Sequence, residues 1–142
     1  MATVPELQDQ FLNAARRAGA SVSLFLLKGV RLQGQISGFD AYSLTLKRGD
    51  TEQLVYKHAV STILIAQARL PELIPAARRG DRQDDYLARR HGQDVSLYLV
   101  NGVSLKGRLV AHDMYCLLLS SEEGRQLVFK HALSTVSDEP TR

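Results

Sequence analysis

An aromatic residue and a Lys-His pair occur twice in this chain at the same spacing. The two sets are Tyr42, Lys57 and His58, and Tyr115, Lys130 and His131. An aromatic ring can stack an unpaired nucleobase, and a neighbouring Lys and His can hold phosphate or carbonyl oxygens. The residue types also allow a structural role, because each tyrosine could pack in a strand core and each histidine could bond the backbone at a turn. The pattern therefore makes both sets candidates for contact with a single-stranded nucleic acid.

Both sets belong to an internal repeat. Residues 22–63 align without a gap with residues 95–136 at an offset of 73, and 20 of these 42 positions are identical. The segment VSLFLLKGVRLQGQISGFDAYSLTL returns as VSLYLVNGVSLKGRLVAHDMYCLLL, and QLVYKHAVSTI returns as QLVFKHALSTV. A copy of about 65–70 residues alone buries only ~60% of its unfolded surface, so we expect each copy to dock against a neighbour.

The composition is that of a globular protein in a reducing compartment. The net charge of +3 slightly favours anionic partners. The single cysteine, Cys116, lies in an apolar run and is predicted to be a buried hydrophobic residue. No run of about 18 apolar residues predicts a membrane span, and Glu6 and Asp9 interrupt any signal-peptide pattern. We therefore expect a cytoplasmic protein without a membrane partner.

The sequence of each copy predicts a short helix followed by short strands. Apolar residues at helical spacing predict a helix over 6–18, and a shorter, more polar one is predicted over 81–91. The hydrophobic period then changes to two. Strands are expected near 21–26, 30–38, 42–47, 53–57 and 60–65, and near 95–100, 103–111, 115–120, 126–130 and 133–137. Lys28-Gly29 and Asn101-Gly102 predict turns, and Asn-Gly between apolar strands is a strong signal for a type I′ hairpin.

Five bent strands behind one helix predict a small open barrel, so the fold class is mainly β. The expected domains are residues 1–65 and 81–142, joined by a proline-containing linker over 66–80. An open barrel has unpaired edges, which favour strand pairing with a neighbour. The linker is long enough to place the two modules side by side.

The segments LQDQFLNAARR, VSLFLLKGVRLQGQISGFD and LVYKHAVSTI closely resemble Hfq, the bacterial Sm-like RNA chaperone family. The resemblance covers 7–65 almost continuously and about 83–136 more loosely. It implies two tandem Sm-like five-stranded open barrels, each preceded by a short N-terminal α-helix. It also implies single-stranded RNA binding that promotes annealing or protection in post-transcriptional regulation. Family members form six-membered rings that bind RNA on two faces and a rim.

The resemblance implies uridine-rich RNA on the proximal face, where the helices lie. The matching positions are Gln8, Tyr42, Lys57, His58, Tyr115, Lys130 and His131. In the second copy Asp81 replaces the glutamine and adds a negative charge near a phosphate path. We therefore expect a weaker pocket in the second copy.

The resemblance implies adenine-rich RNA on the opposite, distal face. The matching positions are Phe25, Gly29, Val30, Leu32, Gln33, Gln53, Tyr98, Gly102, Val103, Leu105, Lys106 and Gln126. Most of these are also ordinary strand and hairpin residues. Phe25 lacks a hydroxyl and Lys106 replaces an amide, so adenine specificity does not carry over to this chain by resemblance alone.

The resemblance places helix residues on the rim of the ring. These are Asn13, Arg16, Arg17, Arg89 and Arg90, and Tyr86 corresponds to Asn13. Charged helix residues can also be no more than a solvated face. A ring would multiply each arginine pair threefold and favour phosphate.

The sequence predicts neither catalysis nor a metal or cofactor site, because it contains no catalytic triad order, phosphate loop or metal-ligand spacing. The competing hypothesis is a structural or protein-binding Sm-like ring with reduced RNA binding. Six modules at two per chain predict a homotrimer that forms a six-module ring with alternating copies. Six chains in two stacked rings are the alternative assembly.

Overall fold

The computed structural model describes residues 5–66, 73–74 and 79–138. Within these ranges each copy has one α-helix followed by five strands, which confirms the predicted mainly-β fold class. In chain order the elements are α1 (Leu7–Ala18), β1 (Ser21–Leu26), β2 (Arg31–Phe39), β3 (Ser43–Arg48), β4 (Thr51–Tyr56), β5 (Val60–Ile65), α2 (Arg82–Ala88), β6 (Asp94–Leu99), β7 (Ser104–His112), β8 (Cys116–Ser121), β9 (Gly124–Phe129) and β10 (Leu133–Asp138). Short 3₁₀ turns at Lys57–Ala59 and Lys130–Ala132 follow β4 and β9.

The two helices differ in length and in how they begin. The apolar face of α1 is buried, and Gly19 ends the helix in the left-handed conformation, with φ of 61°. Helix α2 has seven residues and is shorter than the sequence pattern predicted. Asp81 precedes it as the N-cap, and its side chain accepts a hydrogen bond from the Asp84 amide. Asp81 therefore has a structural role at the start of α2.

Both hairpins have a three-residue loop, so the type I′ turn predicted from Asn101-Gly102 is wrong. The Leu26 amide bonds the Val30 carbonyl at 2.8 Å, and the Gly29 amide bonds the Leu26 carbonyl at 3.0 Å. The loop therefore has three residues and ends at Gly29, whose φ is 90°. Such a loop, a tight turn closed by a positive-φ glycine, also matches the twist of the strands. The β6–β7 hairpin repeats this geometry, with Gly102 at φ of 89°.

The ten strands form one continuous sheet across both copies. Its order is β10-β6-β7-β8-β9-β5-β1-β2-β3-β4. The copies meet where β5 pairs antiparallel with β9, with Ile63 opposite Leu127 and Ile65 opposite Arg125. One strand from each copy, β4 and β10, lies at an end of the sheet. Each copy therefore presents a different edge to a further neighbour.

The core of the first copy includes residues from the second. Cys116, Leu118, Leu127 and Phe129 belong to the same buried cluster as helix α1 and strand β5. Cys116 is fully buried, as predicted, and burial raises the pKa of its thiol well above the ordinary value. The second copy has a smaller apolar cluster of its own. The chain therefore folds around a core that crosses the junction between its copies.

The second copy replaces part of this apolar core by a polar chain. The His112 Nε2 atom lies 2.9 Å from the Asp84 carboxylate, and the His112 Nδ1 atom lies 2.6 Å from the His91 Nε2 atom. At the equivalent positions the first copy has Phe11, Phe39 and Ala18. The substitution explains why the helical apolar pattern is weaker in α2.

Most of the predicted linker lies outside the described residues. Ile74 is described, and its backbone exchanges two hydrogen bonds with the Gln10 side chain, at 2.8 and 3.1 Å. Neither helix in the described ranges has the length and apolar character that crossing a membrane requires.

Candidate nucleic-acid interface

Two aspartate-centred turns hold the candidate tyrosines towards solvent. Asp40 accepts hydrogen bonds from the amides of Tyr42 and Ser43, both at 2.8 Å. These backbone bonds hold the pKa of Asp40 below its ordinary value. The Tyr42 side chain is 80% exposed and the Tyr115 side chain is 50% exposed. Exposure of both rings excludes the alternative in which they pack in a strand core.

The equivalent turn in the second copy also touches the first copy. One Asp113 oxygen accepts from the amides of Tyr115 and Cys116, both at 2.9 Å. The other accepts from the Leu7 amide at 2.7 Å, in a buried contact at the start of α1. A carboxylate at a helix N-terminus satisfies an amide that has no partner within the helix. Asp113 thereby places Tyr115 beside Gln8, the next residue of α1.

Residues from both copies line one groove of about 300 Å³ across this junction. Its lining residues are Gln8, Ala41, Tyr42, Tyr56, Lys57, His58, Met114, Tyr115, Phe129, Lys130 and His131. All seven residues that the sequence assigned to the proximal face are therefore brought together. The sequence analysis did not identify Met114, Tyr56, Phe129 or Asp113 as part of the site. The repeat could have pointed to Asp113, because Asp40 is the same residue at the equivalent position.

Two buried polar atoms in the groove have no hydrogen-bond partner. Lys57 is 6% exposed and Gln8 is 9% exposed. Neither the Lys57 Nζ atom nor the Gln8 Oε1 atom meets a donor or acceptor among the described residues. The Lys57 ammonium lies 5.8 Å from the centre of the Phe39 ring, which is its nearby cation–π contact. Buried polar groups are ordinarily paired, so these two atoms leave hydrogen-bonding capacity unused at the wall of the groove.

The corresponding groups in the second copy are already engaged. The Lys130 Nζ atom donates to the Gln83 Oε1 atom at 2.9 Å. Partial burial and then the nearby Arg79 lower the pKa of Lys130. Asp81, which replaces Gln8, caps α2 and pairs with the Arg79 guanidinium at 2.6 Å. The two copies therefore offer different chemistry at equivalent positions.

The two histidines also differ. The His131 Nε2 atom lies 2.8 Å from the Val60 carbonyl oxygen, across the β5–β9 junction. This contact matches the alternative in which the histidine bonds backbone at a turn. Both histidines are exposed and stack on the last aromatic of the preceding strand, His58 on Tyr56 with ring centres 5.9 Å apart and His131 on Phe129 with ring centres 5.2 Å apart, but only His131 makes this backbone contact among the described residues. His58 is therefore the more available of the two.

The predicted distal residues divide between hairpin loops and a shallow depression. Leu32, Gln33 and Gln53 line the depression together with Arg31 and Arg48. The Arg31 guanidinium lies 5.7 Å from the centre of the Phe25 ring. The remaining first-copy positions, Gly29 and Val30, lie in the exposed hairpin loop.

In the second copy the distal positions spread in the same way. Gly102 and Val103 are exposed in the β6–β7 hairpin, and Tyr98, Leu105 and Lys106 lie on the two strands beside it. Gln126 is used at the junction, where its amide donates to the Thr62 hydroxyl at 2.8 Å. The position of Lys106 gives this copy a cation where the first has Gln33.

The two rim arginine pairs are held differently. Arg16 and Arg17 are exposed, and Arg16 donates to the Asn13 side chain at 2.7 Å. Arg90 instead forms a two-point ion pair with the Asp138 carboxylate and lies over the Tyr86 ring, 3.4 Å from its centre. The positive charge of the second rim pair is therefore partly neutralised within the chain.

The family model described as Hfq protein matches residues 7–69 and 82–141. The chain belongs to the Hfq family. It is a tandem Hfq-like protein, since the two matched segments cover both copies.

Individual relatives match one copy. The RNA-binding protein Hfq of Caulobacter sp. strain K31 and that of Caulobacter vibrioides strain NA1000 are each 51% identical over 61 residues, which is 43% of this chain and 74% of the relative. A 1.55 Å crystal structure of the pleiotropic translational regulator Hfq is 33% identical and covers 41% of this chain and 97% of that chain, with a TM-score of 0.40.

No three His, Cys, Asp or Glu residues of the described ranges group in a way that could hold a metal ion.

Proposed function

We propose that this protein binds single-stranded RNA without turnover and acts as an RNA chaperone that protects strands or promotes their annealing. The observation that carries this proposal is the groove at the junction of the copies. It combines exposed tyrosine rings with the buried Lys57 Nζ and Gln8 Oε1 atoms, which have no hydrogen-bond partner among the described residues. Relatives that bear the name RNA-binding protein Hfq support the same class of partner.

The groove can read a base through two kinds of contact. Stacking on an exposed tyrosine is worth about 1–3 kcal/mol per base and suits any unpaired base. The Lys57 ammonium donates to a base carbonyl or a phosphate oxygen, and the Gln8 carbonyl accepts from a base N–H. Uracil presents both an N–H and carbonyl oxygens on one edge, so uridine-rich RNA fits this groove. The first copy supplies the stronger half, since the Lys57 Nζ and Gln8 Oε1 atoms have no hydrogen-bond partner among the described residues.

The other surfaces add weaker contributions. The distal residues form a second RNA face, on which Arg31 and Lys106 contribute phosphate attraction beside any adenine-rich strand. Arg16, Arg17, Arg89 and Arg90 add non-specific attraction at the rim. The cytoplasm, where messenger RNA is translated, is the compartment that suits this role.

The working form is a homotrimer whose six modules close into a ring. Strand β4 of the first copy is equivalent to β9, and β10 is equivalent to β5, so the two ends of the sheet match the pair already joined within the chain. Leu54 is 53% exposed, whereas its equivalent Leu127 is fully buried at the junction. Pairing β10 of one chain with β4 of the next would repeat the junction three times. Copies one and two then alternate around the ring.

The function is tested by titrating uridine-rich, adenine-rich and mixed oligonucleotides against the protein and against the variant Y42A/K57A/Y115A/K130A. We expect the variant to lose most of its affinity for uridine-rich strands and to retain its fold, measured by circular dichroism. Unchanged affinity in a folded variant would overturn the proposal and favour the protein-binding scaffold.

A further inference from the structure

The two end strands of the sheet, β4 and β10, are equivalent by the repeat to β9 and β5, the strands that pair at the junction within the chain. Within the chain, Ile65 lies opposite Arg125 and is fully buried. The offset of 73 places Asp138 where Ile65 stands and Glu52 where Arg125 stands. A junction of the same register between two chains therefore sets a carboxylate opposite a carboxylate.

Both carboxylates are held in place by their own chain. Asp138 is bound at two points by the Arg90 guanidinium, whose hydrogen bond lowers the pKa of the carboxyl group. Glu52 accepts a hydrogen bond from the Ser37 hydroxyl at 2.7 Å. Like charges directly opposite one another on paired strands are destabilising. Neither group can turn away without breaking these hydrogen bonds.

A second, steric difference lies at the same end of the junction. Gly124 begins β9 with φ of 132°, and a Cβ atom there would collide with the Ile65 carbonyl oxygen. The glycine thus lets the two backbones approach closely within the chain. Its equivalent in the first copy is Thr51, which has a branched side chain. The edge strand that would face the next chain therefore carries a Cβ atom where β9 has none.

We propose that the ring contains two kinds of junction, and that the junctions between chains are weaker at the end where Asp138 of one chain faces Glu52 of the next. This inference rests on the proposed trimer. The within-chain junction is closed by strand pairing, buried apolar residues and the Asp113 contact to α1. The ring therefore comes apart into folded single chains, each with its own junction intact, and the partner that the edges select is a second copy of this chain.

The test is sedimentation velocity over a wide range of concentration, with E52R as the main variant and S37A as its matched control. Wild type is expected to convert from about 47 kDa, three times the 15.8 kDa chain, to a folded single chain on dilution. Glu52→Arg should lower the protein concentration at which half of the trimer has dissociated by about tenfold, because an opposite charge then faces Asp138. Ser37→Ala removes the hydrogen bond to Glu52 but keeps the carboxylate charge, so it should tighten the ring far less than Glu52→Arg.

The double variant E52R/D138N shows whether the two residues face each other. The gain from Glu52→Arg should shrink when Asp138 is neutral, because the two effects are then coupled. A trimeric wild type whose midpoint does not move in Glu52→Arg would overturn the weak-junction proposal and leave the trimer standing. A wild type that is never trimeric would overturn the assembly itself, while the RNA titration judges the function separately.

Discussion

The first and second copies present the same Tyr-Lys-His set in two different states. In the first copy the Lys57 Nζ and Gln8 Oε1 atoms are buried at the groove without a hydrogen-bond partner among the described residues. In the second copy Lys130 is bonded to Gln83, and Asp81 is bonded to its own helix and to Arg79. The copies therefore share the same residue pattern, but the equivalent side chains are not equally free to bind a ligand. A repeated motif keeps the position of its side chains, while the neighbours of those side chains set what they can bind.

The folding free energy of the buried polar atoms also distinguishes the two copies. An unpaired polar group in a buried position costs folding free energy, about 1–3 kcal/mol and more when it is charged. The first copy retains two such atoms at one groove, whereas the second copy satisfies the equivalent ones. A groove that keeps unsatisfied atoms is one in which a ligand can complete the hydrogen bonds.

The largest expected effect separates the two lysines. Lys57→Ala should weaken uridine-rich RNA binding by about tenfold or more, since a charge-assisted hydrogen bond contributes about 1.5–3 kcal/mol. Lys130→Ala should weaken it by only about two- to threefold, because that ammonium is partly exposed and already paired. Fluorescence anisotropy titrations at one salt concentration measure both. Lys28→Ala, an exposed cation of the β1–β2 loop, is the control for loss of charge alone.

The two lysine variants, Lys57→Ala and Lys130→Ala, should differ in their effect on the free energy of unfolding. Lys57→Ala should leave the free energy of unfolding unchanged or raise it, because it removes a buried charge that has no hydrogen-bond partner among the described residues. Lys130→Ala should lower it slightly, because it removes the hydrogen bond to Gln83. Urea unfolding followed by circular dichroism measures both values. If Lys130→Ala weakens RNA binding as much as Lys57→Ala, the claimed inequality of the copies is wrong.

A smaller difference is expected at the rim. The double variant R16A/R17A should lower the slope of log affinity against log salt by roughly one unit for each phosphate that the arginines no longer bind. The double variant R89A/R90A should lower it less, because Arg90 is paired with Asp138 and stacked on Tyr86. Titrations at several salt concentrations give both slopes. Equal slopes in the two variants would show that the ion pair does not restrain Arg90.

The main elements followed from the periodicity of the sequence. Helix α1, the strands of both copies and the burial of Cys116 agree with the predicted pattern, because each is fixed by local spacing of apolar residues. The strands were predicted to continue through Lys57 and Lys130, but both residues begin 3₁₀ turns instead. This turn is what aims each lysine towards the groove, and no apolar period marks it.

The remaining differences depend on contacts distant in sequence. The Asp113 bond to Leu7, the ion pair of Arg90 with Asp138 and the chain of Asp84 with His112 each join residues far apart in the chain. Spacing along one segment carries no information on such pairs. The repeat did reveal that the copies would differ at Asp81, but only the fold shows that Asp81 acts as a helix cap.

The unequal use of the two copies is tested most directly by a crystal structure of the protein with a short uridine oligonucleotide at limiting concentration. We predict a base stacked on a groove tyrosine, with the Lys57 Nζ and Gln8 Oε1 atoms within hydrogen-bond distance of the nucleotide. This groove should fill before the surface of the second copy at which Asp81 replaces Gln8. A nucleotide found only outside the groove, or bound first beside Asp81, would contradict the proposed role of the first copy.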